Sequence, residues 1–178
     1  MKTRSPDIDH EYTPNEDLMA LVPDVSGNDI NGVGEVGFRR PSPVYWQEPD
    51  SIAHGKMQKW FGSQDLIVDV LDALQRRQVI FDTPMSDVAD TPVENEPDVW
   101  AKLVEAAALD RGADLVGITA FDPDWTYDRF DPPADPWVIM IGGEQDFEKM
   151  LNVPGQIAGA EVLNVYGKVL ETARNVSS

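Results

Sequence analysis

Only two runs in this chain read as strands: Asp114 to Ala120 (DLVGITA), expected to be buried on both faces, and Trp137 to Ile141 (WVIMI), a second apolar strand. A loop rich in Asp and Pro, Phe121 to Pro136, separates them, and Gly142-Gly143 closes the second. Two or three strands make an incomplete sheet, and an open edge of this apolar character is a liability that proteins normally cover. Helical patterning brackets the pair. Pro97 suits a helix N1 position, where its missing N–H is not needed. Trp100, Leu103, Val104, Ala107 and Ala108 then form the expected buried stripe, and Gly112 supplies the stop. The last helix is expected from Pro154 to Ala173, with Ile157, Ala160, Leu163, Tyr166, Val169 and Leu170 on one side. The fold class is therefore α/β, an incomplete small sheet flanked by helices and preceded by a long loop-rich N-terminal arm.

The arm is residues 1–50. It holds six of the 14 prolines and a cluster of glycines, and such a stretch buries too little apolar surface to offset its ordering entropy alone. An extended or disordered arm is expected, able to wrap over a domain or partner. A helical segment follows over 51–81. Ser51 is a cap for a helix through Trp60, and Ser63 caps a second helix with the stripe Leu66, Ile67, Val70, Leu71 and Leu74. Arg76 and Arg77 suit the negative C-terminal end of that helix. A polar linker occupies 82–97, and the α/β unit runs over 98–178.

Charge and composition narrow the function. Asp and Glu number 32 against 14 Lys and Arg, a net charge of -18, so nucleic acid and anionic membrane surfaces would repel the chain. Cysteine is absent, which removes disulfides, thiolate nucleophiles and protein-ligated iron–sulfur clusters. With only His10 and His54 as imidazoles, no His-rich metal site can form. No apolar run approaches a membrane span, Met1 to Asp17 lack the core of a secretory signal, and Arg39-Arg40 precede no apolar stretch of an export signal. A cytoplasmic protein with no membrane and no nucleic-acid partner is expected.

No catalytic residue and no metal ligand stands out. The candidates for a substrate cavity or a partner anchor are Phe38, Tyr45 and Trp46 in the arm, and Trp125 and Tyr127 in the loop between the strands. Rings in a loop-rich arm anchor it in a groove or line a ligand pocket. Rings at strand ends cover the sheet edge or face a ligand. Five carboxylates, Asp122, Asp124, Asp128, Asp131 and Asp135, raise the question of calcium, but the spacing lacks an EF-hand's central glycine and terminal glutamate. A solvated acidic loop is the expectation. Gly32 to Gly37 (GVGEVG) has a nucleotide-loop look, yet Arg39-Arg40-Pro41 forbids the helix that such a loop must open. His54 has no Ser or Cys nucleophile in its segment and reads as a surface or packed side chain.

Residues 98–173 carry a resemblance. The phrases Gly112-Ala113-Asp114-Leu115-Val116-Gly117-Ile118, Phe121-Asp122-Pro123-Asp124-Trp125-Thr126-Tyr127, Trp137 to Ile141 and Asp146-Phe147-Glu148 resemble the reductive dehalogenases, and more distantly the epoxyqueuosine reductases. Pro154, Ala158 to Ala160 and Tyr166 continue the pattern, and Phe38-Arg39-Arg40 echoes an earlier family segment. The resemblance implies a corrinoid domain and two iron–sulfur clusters, with the catalytic tyrosine, its basic partner and the cluster cysteines downstream of anything present here. It implies a non-catalytic or partial subunit, inactive alone. Such a chain would complete a cobalamin and substrate cavity with a cysteine-bearing dehalogenase-like subunit, or would pair with a second copy of itself. The alternative is a degenerate acidic interaction protein without redox chemistry.

Overall fold

A computed structural model of the chain describes residues 15–87, 89–153 and 155–177. His10 and Pro154, used above, lie outside them. Two compact units emerge. One takes the described residues up to Asp65 together with Phe121–Asp135, and the other takes Leu66–Ala120 with the residues from Pro136 onward. This division runs through the expected 51–81 segment and assigns the loop between the strands to the unit of the arm.

In the first unit, the arm is irregular chain with two single turns of helix, α1 (Glu16–Met19) and α2 (Gly27–Ile30). Both are set by local caps. The Asn15 side chain accepts the Leu18 N–H, and Ser26 and Asp29 form a reciprocal capping box. Pro49–Ser51 form a 3-10 turn, so α3 begins at Gly55 and ends at Gly62. Ser51 is thus not its cap, because Pro49 has already turned the chain there.

The second unit contains α4 (Val68–Asp82), α5 (Pro97–Asp110), β1 (Leu115–Ala120), β2 (Trp137–Gly142), α6 (Phe147–Met150) and α7 (Gln156–Val176). The strands pair antiparallel with Val116 opposite Ile141 and Ile118 opposite Ile139. This two-stranded sheet packs against α5 and α7, which is the expected fold class. Pro97 sits at the first turn of α5, and Gly112 leaves that helix at φ 102°, a left-handed conformation that glycine adopts without a Cβ penalty.

The buried apolar side chains are small. They are Val70 and Ala73 on α4, Ala108 on α5, Ala113, and Ala158, Ala160 and Val165 on α7. Several expected stripes are corrected here. On α4, Ile67, Leu71 and Leu74 are exposed, while Val70 and Ala73 turn inward. On α5, Ala108 is 0 % exposed but Leu103 is 50 % exposed and Trp100 also faces out. On α7, Ile157 and Tyr166 are exposed. Strand β1 is not buried on both faces, since Leu115 is 74 % exposed and Thr119 and Ala120 are exposed too. The reason is geometric. Helices that cross closely admit alanine and glycine between them and leave no room for leucine. The second cap is corrected as well: the N-cap of α4 is Ile67, whose N–H donates to Gln156 Oε1 at 2.8 Å, and not Ser63.

Helix α7 holds the unit together from two sides. Asn164 accepts from Arg76 of α4 at 2.6 Å, and the Cβ position of Gly167 lies 3.8 Å from Ile80. On its other side, Thr172 donates to the Arg111 carbonyl at 3.0 Å and Lys168 pairs with Asp114 at 2.6 Å. Glu161 is buried, accepts the Asp146 N–H at 2.8 Å, and pairs with Lys149 Nζ at 2.6 Å. Lys149, then the Asp146 N–H, hold the Glu161 carboxyl below its usual range, and Glu161 in turn raises the Lys149 ammonium.

Two outcomes follow. Ala108→Leu should destabilise the chain by about 1–3 kcal/mol through overpacking, whereas Leu103→Asp should stay within about 0.5 kcal/mol, both read from denaturant midpoints. Because the folded-state Glu161 value is depressed, its contribution is present above the ordinary glutamate range and is lost as pH falls through the depressed value. Glu161→Gln should therefore lower the melting temperature at neutral pH and flatten its acid limb, and a variant with the wild-type acid limb would refute this role.

Candidate functional site

All five aromatic candidates fall in the first unit, and backbone polarity explains how the loop between the strands meets the arm there. Asp128 donates its N–H to the Pro41 carbonyl at 2.9 Å and accepts from Arg40 on its own carbonyl at 2.9 Å. Its carboxylate takes the Ser42 hydroxyl, and Arg129 reaches the Ser51 hydroxyl at 3.4 Å. Asp128 is thus a group that fastens the loop to the arm. Asp122 accepts the Asp124 N–H at 3.0 Å and caps the 3-10 turn Pro123–Trp125. Among the described residues no group of three or more His, Asp or Glu is arranged to hold a cation.

The rings form two separate sets. Tyr45 lies 6.4 Å from Trp46 and meets His54 edge-on at 5.4 Å, while Trp125 meets Phe121 edge-on at 6.2 Å. No ring contact joins Phe38 or Tyr127 to either set among the described residues. Trp46 is the most unusual of the five. Its backbone is left-handed, φ 61°, and its side chain is 75 % exposed. A bulky residue rarely takes this conformation, and it persists only where neighbours over-determine it. The Gln58 side chain does so: its Oε1 accepts the Trp46 N–H at 2.7 Å and its Nε2 donates to the Gln47 carbonyl at 2.9 Å. Nothing in the local sequence marks Gln58, which lies a helix away, so only the fold reveals it.

His54 is buried against Tyr45, and its Nδ1 has no hydrogen-bond partner among the described residues. The GVGEVG run forms turns after α2 and is fixed by Arg39, which pairs with Glu35 at 2.9 Å and donates to the Asp29 carbonyl at 3.0 Å. It opens no helix, so the nucleotide-loop geometry is absent from it.

The second unit presents a different surface. Directly opposite residues of an antiparallel pair share a face, so Leu115, Gly117 and Thr119 lie on one face with Gly142, Met140 and Val138. Leu115 and the 59 % exposed Met140 leave that face apolar and open. Among the described residues neither strand has a second neighbour in the sheet, so both outer edges present unpaired backbone groups. Asp114, at the start of β1, accepts the Glu144 N–H at 2.7 Å and the Lys168 ammonium, which together hold its carboxyl below the usual range. That ties the two strand ends to α7 and fixes the pair's presentation.

Comparisons with protein-family models, with curated proteins and with solved structures found no match. No helix among the described residues is long and apolar enough to cross a membrane. For the aromatic set, Gln58→Ala should release the Trp46 backbone. Limited proteolysis should then cut at residues 45–47 at least severalfold faster than in the wild type, and an unchanged rate would remove Gln58 from this role.

Proposed function

We propose that this chain is a non-catalytic portion of a cobalamin-dependent reductive-dehalogenase-like protein, completing the corrinoid and substrate cavity with a cysteine-bearing polypeptide. One observation carries the reading. The strand pair keeps both edges unpaired, and Leu115, Met140 and Trp137 stay exposed upon it. Exposed apolar side chains beside unpaired strand edges, Leu115 and Met140 on one face and Trp137 on the other, mark a place for another polypeptide. The phrases that resemble the reductive dehalogenases include both strands, so the open sheet and the resemblance point to the same partner.

The residues present do not fit a whole corrinoid. The groove of the second unit with an apolar floor measures 530 Å³, in the range of drug-sized ligands and below what a corrin ring with its nucleotide tail needs. Among the described residues the buried imidazole, His54, is packed edge-on against Tyr45. Without cysteine the chain ligates no cluster. Its own contribution is to wall and complete a cavity, while the partner supplies the cofactor-holding and proton-donating groups. Phe38, Tyr45, Trp46, Trp125 and Tyr127 are the side chains that would anchor the partner or line the substrate side.

A second reading is favoured by the net charge of -18: an acidic interaction protein without redox chemistry that binds a basic partner. Native mass spectrometry and absorption spectra after anaerobic, low-salt purification from the source cells separate the two. A cysteine-rich partner with corrinoid and iron–sulfur absorption, lost in Leu115→Asp and Met140→Asp chains that still fold, is the expected result. A colourless complex that dissociates on adding salt would support the second reading, and a colourless monomer or homodimer would overturn the first.

A further inference from the structure

The second unit holds a groove that the partner reading does not use. Its floor is apolar, made by Ile141 at the end of β2 and by Val165, Val169 and Leu170 of α7. Three residues with polar side chains also line it: Arg77 from α4, Gln145 from the loop after β2, and Tyr166 of α7. The loop can approach α7 closely only because residue 143 is glycine. A Cβ there would meet Val165 Cγ1 at 2.7 Å and Val169 Cγ2 at 2.8 Å. The groove is therefore a consequence of tight backbone packing and not of a loose surface.

Charge identifies what it would take. Most described Lys and Arg side chains have a partner, with Lys56, Arg77 and Lys102 the exceptions. Arg39, Lys59, Lys149 and Lys168 each sit in an ion pair, and Arg76 beside the groove donates to Asn164. Arg77 has no hydrogen bond or ion pair among the described residues, and neither do the side-chain polar groups of Gln145 and Tyr166. An arginine without a protein partner, lining a groove with apolar residues, is the side chain here that can take a carboxylate in bidentate geometry. A volume of 530 Å³ suits a small molecule.

We propose that this groove binds a small organic carboxylate with an apolar body, its carboxylate on Arg77 and its body on Ile141, Val165 and Val169. The site belongs to this chain alone, so it stands or falls separately from the partner reading. Methyl-resolved NMR titration of the full chain with 3-phenylpropionate and with 3-phenylpropionamide tests it. The acid should give saturable shifts at the Ile141, Val165 and Val169 methyls and bind at least tenfold more tightly than the amide. Arg77→Gln should weaken the acid at least tenfold and leave the amide unchanged, with Arg77→Lys intermediate. Equal affinity for acid and amide, no saturable shift, or an Arg77→Gln chain that binds the acid as before would each overturn the assignment. Should Arg77→Gln fail to fold by circular dichroism, the acid-to-amide ratio of the wild type decides alone.

Discussion

Helix α7 must satisfy two neighbours at once, and the rest of the second unit is arranged around that demand. Successive residues on a helix step by 100°, so Ala160, Asn164 and Gly167 share one face while Glu161, Val165, Val169 and Thr172 share another. The first face carries the Asn164 and Gly167 contacts with α4, and the second meets the strand ends, α6 and the end of α5. Both approaches are close, which is why alanine, glycine and threonine occupy them. Thr172 is the largest fully buried side chain in the described chain. Large apolar residues are thereby displaced outward.

That displacement gives the molecule its character. A core of small side chains buries little apolar area per residue, and the hydrophobic gain scales with that area. Polar fastening supplies what packing does not: Glu161 with Lys149 and Asp146, Asp114 with Lys168 and Glu144, Thr172 with Arg111. The exposed Leu115, Met140 and Trp137 then have chemical meaning as surface that another polypeptide would cover. Net negative charge works in the same direction, since 18 excess charges on each copy oppose self-association more than association with a basic or neutral chain.

Periodicity made the elements legible in the sequence but not their orientation. Both strands, the proline-led start of α5, and its glycine stop are local features, written in residues that act on their own backbone. The faces were not legible, because apolar spacing favours the largest side chains and this interior selects the smallest. Leu103 and Tyr166 belong to the apolar stripes read from spacing, yet Ala108 and Val165 are the ones enclosed. Long-range pairings left still less trace. Asp128 reads as one acid among five, and its fastening to Pro41, Arg40 and Ser42 spans more than eighty residues of sequence. The left-handed backbone of Trp46 likewise depends on Gln58, a residue with no motif of its own.

The assignment of Phe121–Asp135 to the unit of the arm has a topological consequence. The chain leaves the first unit after Asp65, returns to it after Ala120, and leaves it again after Asp135. Three covalent passages join the two units, so no single cut in the gene separates them into intact halves. Removing the arm would orphan the Asp128 segment that it holds, and with it the tether between β1 and β2. The arm thus governs the loop entropy of the strand pair, although its described residues contribute no strand.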